Sequence, residues 1–131
     1  MSTVFSRIIN GEIPGTFIWN DSECVAFMSI NPINTGHALV VPRVEVDQWT
    51  DLPASLVEHL CAVAHAIGRA QKAAFGCERI GLIIAGFEVP HVHLHVIPTE
   101  GMQHMSFANA AATPDFASIS AAAHRITEAL A

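Results

Sequence analysis

The 131-residue chain has no internal repeat, no linker-like stretch and no apolar run long enough to cross a bilayer. Nothing at its N-terminus reads as a secretory leader. These absences predict one domain, residues 1–131, working in the cytoplasm with no membrane partner. Charge is scarce and lopsided. Only 14% of residues are charged, and 12 acidic against 6 basic residues leave a net charge of −6. A chain of that sign lacks the basic surface of a general nucleic-acid binder, although a local pocket can still hold a small anion. Cys24, Cys61 and Cys77 are odd in number and form no close motif, so a disulfide framework is excluded and free thiols in a reducing compartment are expected.

What the chain has in quantity is apolar side chain, 51% of its residues. At this length that suffices for a real core. The surplus over charged residues predicts surface shared with a second copy, that is, an oligomer.

Pattern and turn chemistry place the elements. Ser2 or Thr3 can cap a short helix from about Val4 to Asn10, which Gly11 ends. Thr16 to Trp19 and Cys24 to Met28 read as two strands joined at Asn20-Asp21-Ser22. Asn31-Pro32 and Asn34-Thr35-Gly36 are turn residues, and His37 to Val41 is a third strand. The main helix is expected from about Pro53 to Phe75, capped by Thr50 or Asp51 and ended by Gly76. Its apolar stripe is Leu56, Leu60, Val63, Ile67, Ala70 and Ala74. His59 and His65 lie off that stripe and read as surface residues. Ile80 to Ala85 is continuously apolar, which predicts a strand buried on both faces. The short connection after it favours an antiparallel neighbour. Residues 99–117 form a long loop of small and polar residues, able to fold over a site or reach a partner. Residues 118–131 close the chain as an Ala-rich helix, with Ser118 or Ser120 as its cap. Five strands, one long helix and shorter terminal helices make an α+β fold with a mainly antiparallel sheet.

The stretch Pro90-His91-Val92-His93-Leu94-His95-Val96-Ile97-Pro98 stands apart. On a strand, alternate side chains share a face, so His91, His93 and His95 line one side and Val92, Leu94 and Val96 the other. The flanking prolines mark the limits of pairing. Three readings apply: a solvated row without a role, a metal site, or nucleophilic and acid–base chemistry. His-x-His neighbours can share a zinc ion. The first and third lie roughly 13 Å apart along a strand, too far to join one ion comfortably.

The run His91-Val92-His93-Leu94-His95-Val96-Ile97 resembles the His-φ-His-φ-His-φ-φ signature of the histidine triad family of nucleotide hydrolases and transferases. Val4 to Pro14 resembles that family's N-terminal segment, and Phe27 to Pro32 with Gly36 to Pro42 resembles its central hairpin. The resemblance implies a five-stranded antiparallel sheet, commonly joined to a second copy in a homodimer. It implies a nucleotide substrate, a purine nucleoside monophosphate conjugate, and no cofactor. Its phosphoramidase and dinucleotide polyphosphate hydrolase branches are the activities in view. By position, His93 matches the nucleophile that forms a covalent nucleotidyl intermediate. His95 matches a phosphate-contacting residue, and His91 and His37 match partners that orient the cluster. Ser29 and Ile30 fall where the family holds the nucleoside. Gly86, Phe87, Glu88 and Val89 fall where it cradles the phosphate.

Three departures accompany the match. Ser29 stands where the family often has an acidic residue for the ribose hydroxyls. Phe87 and Glu88 stand where the phosphoramidase branch has glutamine and serine. A carboxylate at Glu88 repels a phosphate and favours the protonated form of a nearby imidazole. Thr3 and Ser6 replace the zinc-binding pair some relatives carry, so no structural metal is expected. The competing functions are a non-catalytic nucleotide-binding or scaffold protein on the same fold, and a metal-dependent enzyme using His91 and His93.

Overall fold

The computed structural model describes residues 2–131. Strands β1 (Phe17–Asn20), β2 (Cys24–Met28), β3 (Ala38–Pro42), β4 (Arg79–Ile83) and β5 (Leu94–Thr99) form one sheet, and helices α1 (Val4–Ile9), α2 (Ala54–Phe75) and α3 (Phe116–Leu130) accompany it. The spatial order is β1-β2-β3-β5-β4, and each neighbouring pair is antiparallel. This is the expected α+β architecture.

The sheet has two differently dressed faces, set by the period-two pattern of its strands. One face carries Ala26, Val40, Leu94 and Val96, covered by Leu60, Val63 and Ile67 of α2 and by Ile119 and Ile126 of α3. The other carries Val25, Phe27, Leu39 and Val41, with Phe5 of α1 packed against them. Phe27, Leu39 and His95 are register partners across β2, β3 and β5, so the histidine row belongs to this second face. Thr3 caps α1 by accepting a hydrogen bond from the Ser6 amide, as the sequence suggested.

The triad strand starts later than its proline-bounded pattern implied. β5 begins at Leu94 and runs through Pro98, leaving His91 to His93 outside the ladder. The reason lies at Pro42, the last residue of β3. Its carbonyl accepts from the His91 ring rather than from a strand partner, and the Val92 amide turns to the Val46 carbonyl. Pro98 is tolerated because it lies beyond the last β3–β5 pair, Ala38 with Val96, and has only β4 beside it.

Three further expectations are corrected. β4 is an edge strand rather than one buried on both faces, and Leu82 is 48% exposed. Its apolar run leaves Leu82 at the surface. Helix α2 takes Pro53, not Thr50 or Asp51, as its N-cap, because Trp49–Asp51 forms a separate 3-10 turn. Helix α3 begins at Phe116 and is capped by Asp115, whose carboxylate accepts from the Ser118 amide.

His59 is not simply a surface residue either. Asp21 folds the β1–β2 turn by accepting from the Glu23 and Cys24 amides, and it also accepts from Trp19 Nε1 and lies 2.8 Å from His59 Nε2. These bonds outweigh the cost of burial and hold the Asp21 carboxyl well below its usual range. His65 is exposed, as expected.

Gly36 controls the entry to β3. It sits at φ +91°, and a Cβ there would come within 2.5 Å of the Phe75 ring. Glycine is therefore required both by backbone conformation and by close packing against the end of α2.

Candidate active site

Four histidines meet on the second face of the sheet, and all are buried: His37, His91, His93 and His95. β5 presents His95, the segment just before it presents His93 and His91, and the turn into β3 presents His37. The His93 and His95 ring centroids lie 4.8 Å apart. Phe5 closes the floor, its ring edge-on to His93 at 4.8 Å.

The hydrogen bonds fix which ring nitrogens carry protons, because a backbone amide only donates and a carbonyl only accepts. The Ile33 amide donates to His37 Nδ1 at 3.0 Å. His37 in its neutral form therefore carries its proton on Nε2 and donates to His95 Nδ1, 2.9 Å away. His95 must then carry its proton on Nε2. That N–H points at Glu88 Oε1, 3.2 Å away. In His93, Nδ1 donates to the His91 carbonyl at 2.7 Å, and Nε2 faces Glu88 Oε1 at 3.0 Å.

Burial is the largest influence on the ring charges. It depresses His37 to about 3 and His95 to about 4, reinforced by repulsion from neighbouring imidazoles. The Glu88 carboxylate pulls His95 upward, the direction the sequence suggested, but desolvation prevails. Glu88 itself is partly buried, which opposes ionisation; hydrogen bonding from His93 and from its own backbone N–H more than offsets this and keeps its carboxyl below the usual value.

His91 has a different place from its triad neighbours. Its Nε2 donates to the Pro42 carbonyl at 2.8 Å, and its Nδ1 accepts from Thr3 Oγ1 at 2.8 Å. Burial lowers its pKa, outweighing the opposite pull of the Pro42 carbonyl and of Glu45. Both nitrogens are occupied away from the cleft, so the ring acts as an anchor while its carbonyl holds His93. This removes His91 from the His91–His93 metal pair considered from sequence. Thr3, Ser6 and Glu45 complete the anchor: Glu45 Oε1 accepts from the Thr3 amide and from Ser6 Oγ, each at 2.7 Å.

Glu88, His93 and His95 do offer three ligand atoms within 4.8 Å of one another. A metal ion would need a lone pair on His95 Nε2, yet the proton chain from the Ile33 amide places a hydrogen there.

Above the histidines lies a cleft of about 570 Å³. This falls within the size range of small-ligand sites. It is lined by His37, His93, His95, Glu88 and Val89, and by Ser29 and Ile30 from the β2–β3 connection. Gly86 and Phe87 do not line it, and Phe87 is 97% exposed. Ser29 Oγ accepts from the Asn31 amide at 3.2 Å, so the hydroxyl stabilises its own turn.

The loop after Pro98 folds over this cleft. The Ala111 amide donates to the Pro32 carbonyl, and Asn31 Nδ2 donates to the Ala111 carbonyl. Phe107 is thereby set edge-on to His95 at 4.8 Å, and Phe116 joins the lining. Sequence reasoning missed Phe116. It missed Gln71 too, a fully buried side chain whose Nε2 donates to the Gly36 and Val96 carbonyls, one residue from His37 and His95 respectively. A polar residue within the apolar stripe of a helix was the available signal.

Comparison with known proteins agrees with the geometry. The family model for the HIT domain matches residues 10–102. The chain belongs to the HIT family. A HIT-like protein of Methanocaldococcus jannaschii is 34% identical over 72% of the chain and 77% of its own length. An adenylylsulfatase of Arabidopsis thaliana is 31% identical over 72% of the chain, which spans only 51% of that longer protein. Among solved structures, a zinc-bound histidine triad protein of Mycobacterium smegmatis superposes with a TM-score of 0.84 at 29% identity, covering 99% of this chain and 94% of the other. A HIT-like protein of Bartonella henselae gives 0.85 at 25% identity, covering 98% and 96%.

The depressed histidines make this HIT domain acid-sensitive. Below pH 6.5 the unfolded chain binds protons at His37 and His95 while the folded chain does not, so stability falls as pH falls from about 6.5 toward 4. Denaturant unfolding should lose about 1.4 kcal/mol per pH unit for each such histidine in that window. A flat profile between pH 6.5 and 5 would show that the two rings are not held neutral.

Proposed function

We propose that this HIT protein is a nucleotide hydrolase or transferase that cleaves a nucleoside monophosphate from its leaving group through a covalent adduct on His93. The supporting observation is the directional hydrogen bonding of the site. The His91 carbonyl holds the proton on His93 Nδ1, which turns Nε2 toward the cleft as the atom of attack. His95 Nε2–H lies beside it as a donor for a phosphoryl oxygen, where charge grows during transfer. The cleft accommodates a nucleoside, with Phe107, Phe116 and Ile30 offering apolar surface to a purine. A relative named as an adenylylsulfatase makes adenylyl sulfate a candidate substrate beside adenosine phosphoramidates. We place the reaction in the cytoplasm, where Cys24, Cys61 and Cys77 stay as free thiols.

We also propose a homodimer. The edge strand β4 and the flank of α2 frame an apolar groove of about 500 Å³, lined by Ile80 and Leu82 on one side and Cys61, Ala64 and Gly68 on the other. An edge strand with exposed apolar side chains is a surface that natural proteins cover.

Intact-mass measurement after rapid quenching should reveal a nucleotidyl adduct on the wild-type protein and none on His93→Ala. The variant should lose at least ~10³-fold in turnover while remaining folded, as checked by a cooperative denaturant transition. Retention of more than a tenth of wild-type turnover would remove His93 as nucleophile and favour a nucleotide-binding protein without covalent chemistry. For the assembly, light scattering at micromolar concentration should give twice the 14.0 kDa chain mass, and a clean monomer would refute the dimer.

A further inference from the structure

Seven of the eight ring-nitrogen positions in the histidine cluster are ordinary once the hydrogen bonds are traced. His37, His91 and His95 are each neutral with one donor and one acceptor nitrogen, and His93 Nδ1 donates to a carbonyl. The eighth, His93 Nε2, poses a problem. It lies 3.0 Å from a carboxylate oxygen of Glu88. A lone pair facing a carboxylate is repulsive, so one proton must lie between the two atoms. In the resting site the nucleophile is therefore capped, and Glu88 is the base within hydrogen-bond reach that can uncap it.

Position adds to this. A hydrogen bond at Nε2 runs along the in-plane lone-pair axis of the ring, the same axis along which Nε2 attacks phosphorus and the leaving group departs. Glu88 occupies that axis, bridging the Nε2 atoms of His93 and His95. It is 47% exposed on the solvent side of the cleft, while His93 is buried. The segment carrying it passes through Gly86 at φ +90°. A phosphoryl group attacked by Nε2 needs the space that the carboxylate holds in the resting site.

We propose, resting on the covalent reading above, that Glu88 is the proton carrier of this reaction and thereby selects the leaving group. The proton between His93 and Glu88 passes to the carboxylate, freeing the Nε2 electron pair. The Nε2–phosphorus bond forms and the bond from phosphorus to the leaving atom breaks. Glu88 delivers its proton to that atom, which departs as a neutral amine or alcohol. In the second half, water attacks phosphorus and gives a proton to Glu88. The phosphorus–Nε2 bond breaks, its electron pair returns to Nε2, and the proton returns between the two residues. A leaving group that needs a proton gains from this carboxylate. An anionic one, such as sulfate or diphosphate, departs without that proton and gains nothing from it. The chain is thus adapted to amine conjugates of a nucleoside monophosphate.

The test compares adduct formation in a single turnover by wild type and Glu88→Gln, using three adenosine 5′-phosphate derivatives: an alkylamine phosphoramidate, a p-nitrophenyl ester and adenylyl sulfate. Glu88→Gln keeps the shape of an exposed side chain, and its fold is checked by denaturant midpoint. Adduct formation from the alkylamine should slow by ~10²-fold or more, the range expected for loss of a general acid. The slowing should be far smaller with p-nitrophenol and with adenylyl sulfate, whose leaving groups depart without a proton. The p-nitrophenyl adduct should then accumulate, because its hydrolysis also lacks the base. Equal slowing on amine and ester would make Glu88 a positioning residue, and faster reaction on the amine would make it only an obstruction; either overturns the proposal. Wild-type protein that forms no adduct from any of the three would overturn the covalent reading itself, and this one with it.

Discussion

The site depends on one hydrogen bond from the main chain: the Ile33 amide to His37 Nδ1. A backbone N–H cannot reverse its polarity. It therefore sets the tautomer of His37, which sets that of His95, which turns an N–H into the cleft. Without it the buried imidazole pair could exchange direction, and His95 could present either a donor or a lone pair. The β2–β3 connection, whose Asn31 and Asn34 side chains tie it to the later loop and to Pro98, holds that amide in place. An unpaired polar atom in such surroundings costs about 1–3 kcal/mol. Every ring nitrogen of the four histidines has a partner. Fixed partners serve six of the eight nitrogens. The two that face a movable side chain are the ones free to meet a ligand.

A second constraint is the double use of the triad segment. Val92, Leu94 and Val96 bury into the main core under α2 and α3, while His93 and His95 face the cleft. The core thus pins the residues that do the chemistry. His91 contributes through its ring, which terminates the ladder at Pro42, and through its carbonyl, which orients His93. Its role is carried by position rather than by contact with a ligand. Gln71 and Phe107 add support from opposite sides, one from the helix layer and one from the closing loop.

Period and turn chemistry made much of this legible before any fold was known. β2 recurs with the expected boundaries and β1 one residue later than expected, Thr3 caps α1, and Gly76 ends α2 in the left-handed conformation. The alternation from His91 to Val96 placed the histidines on one face. Contacts between residues distant in sequence were not legible. Nothing local says that β4 lies at an edge or that Phe107 returns to His95, whereas the Asp115 cap of α3 was a local signal passed over in favour of a serine. Glu88 is the instructive case. Its chemistry, a carboxylate near a phosphate position, was visible in the sequence. Its bridging of two Nε2 atoms was not, because that requires the loop from Gly86 to fold back on the row that follows it.

The proton arrangement carries every later step, from the donor at His95 to the shared proton at His93. It is measured most directly by long-range proton–nitrogen correlation NMR on uniformly nitrogen-15-labelled protein near neutral pH. The account predicts that His37 and His95 each show a protonated Nε2 and an unprotonated Nδ1. A protonated Nδ1 on His95 would contradict it, because the cleft would then present a lone pair where the structure presents a donor.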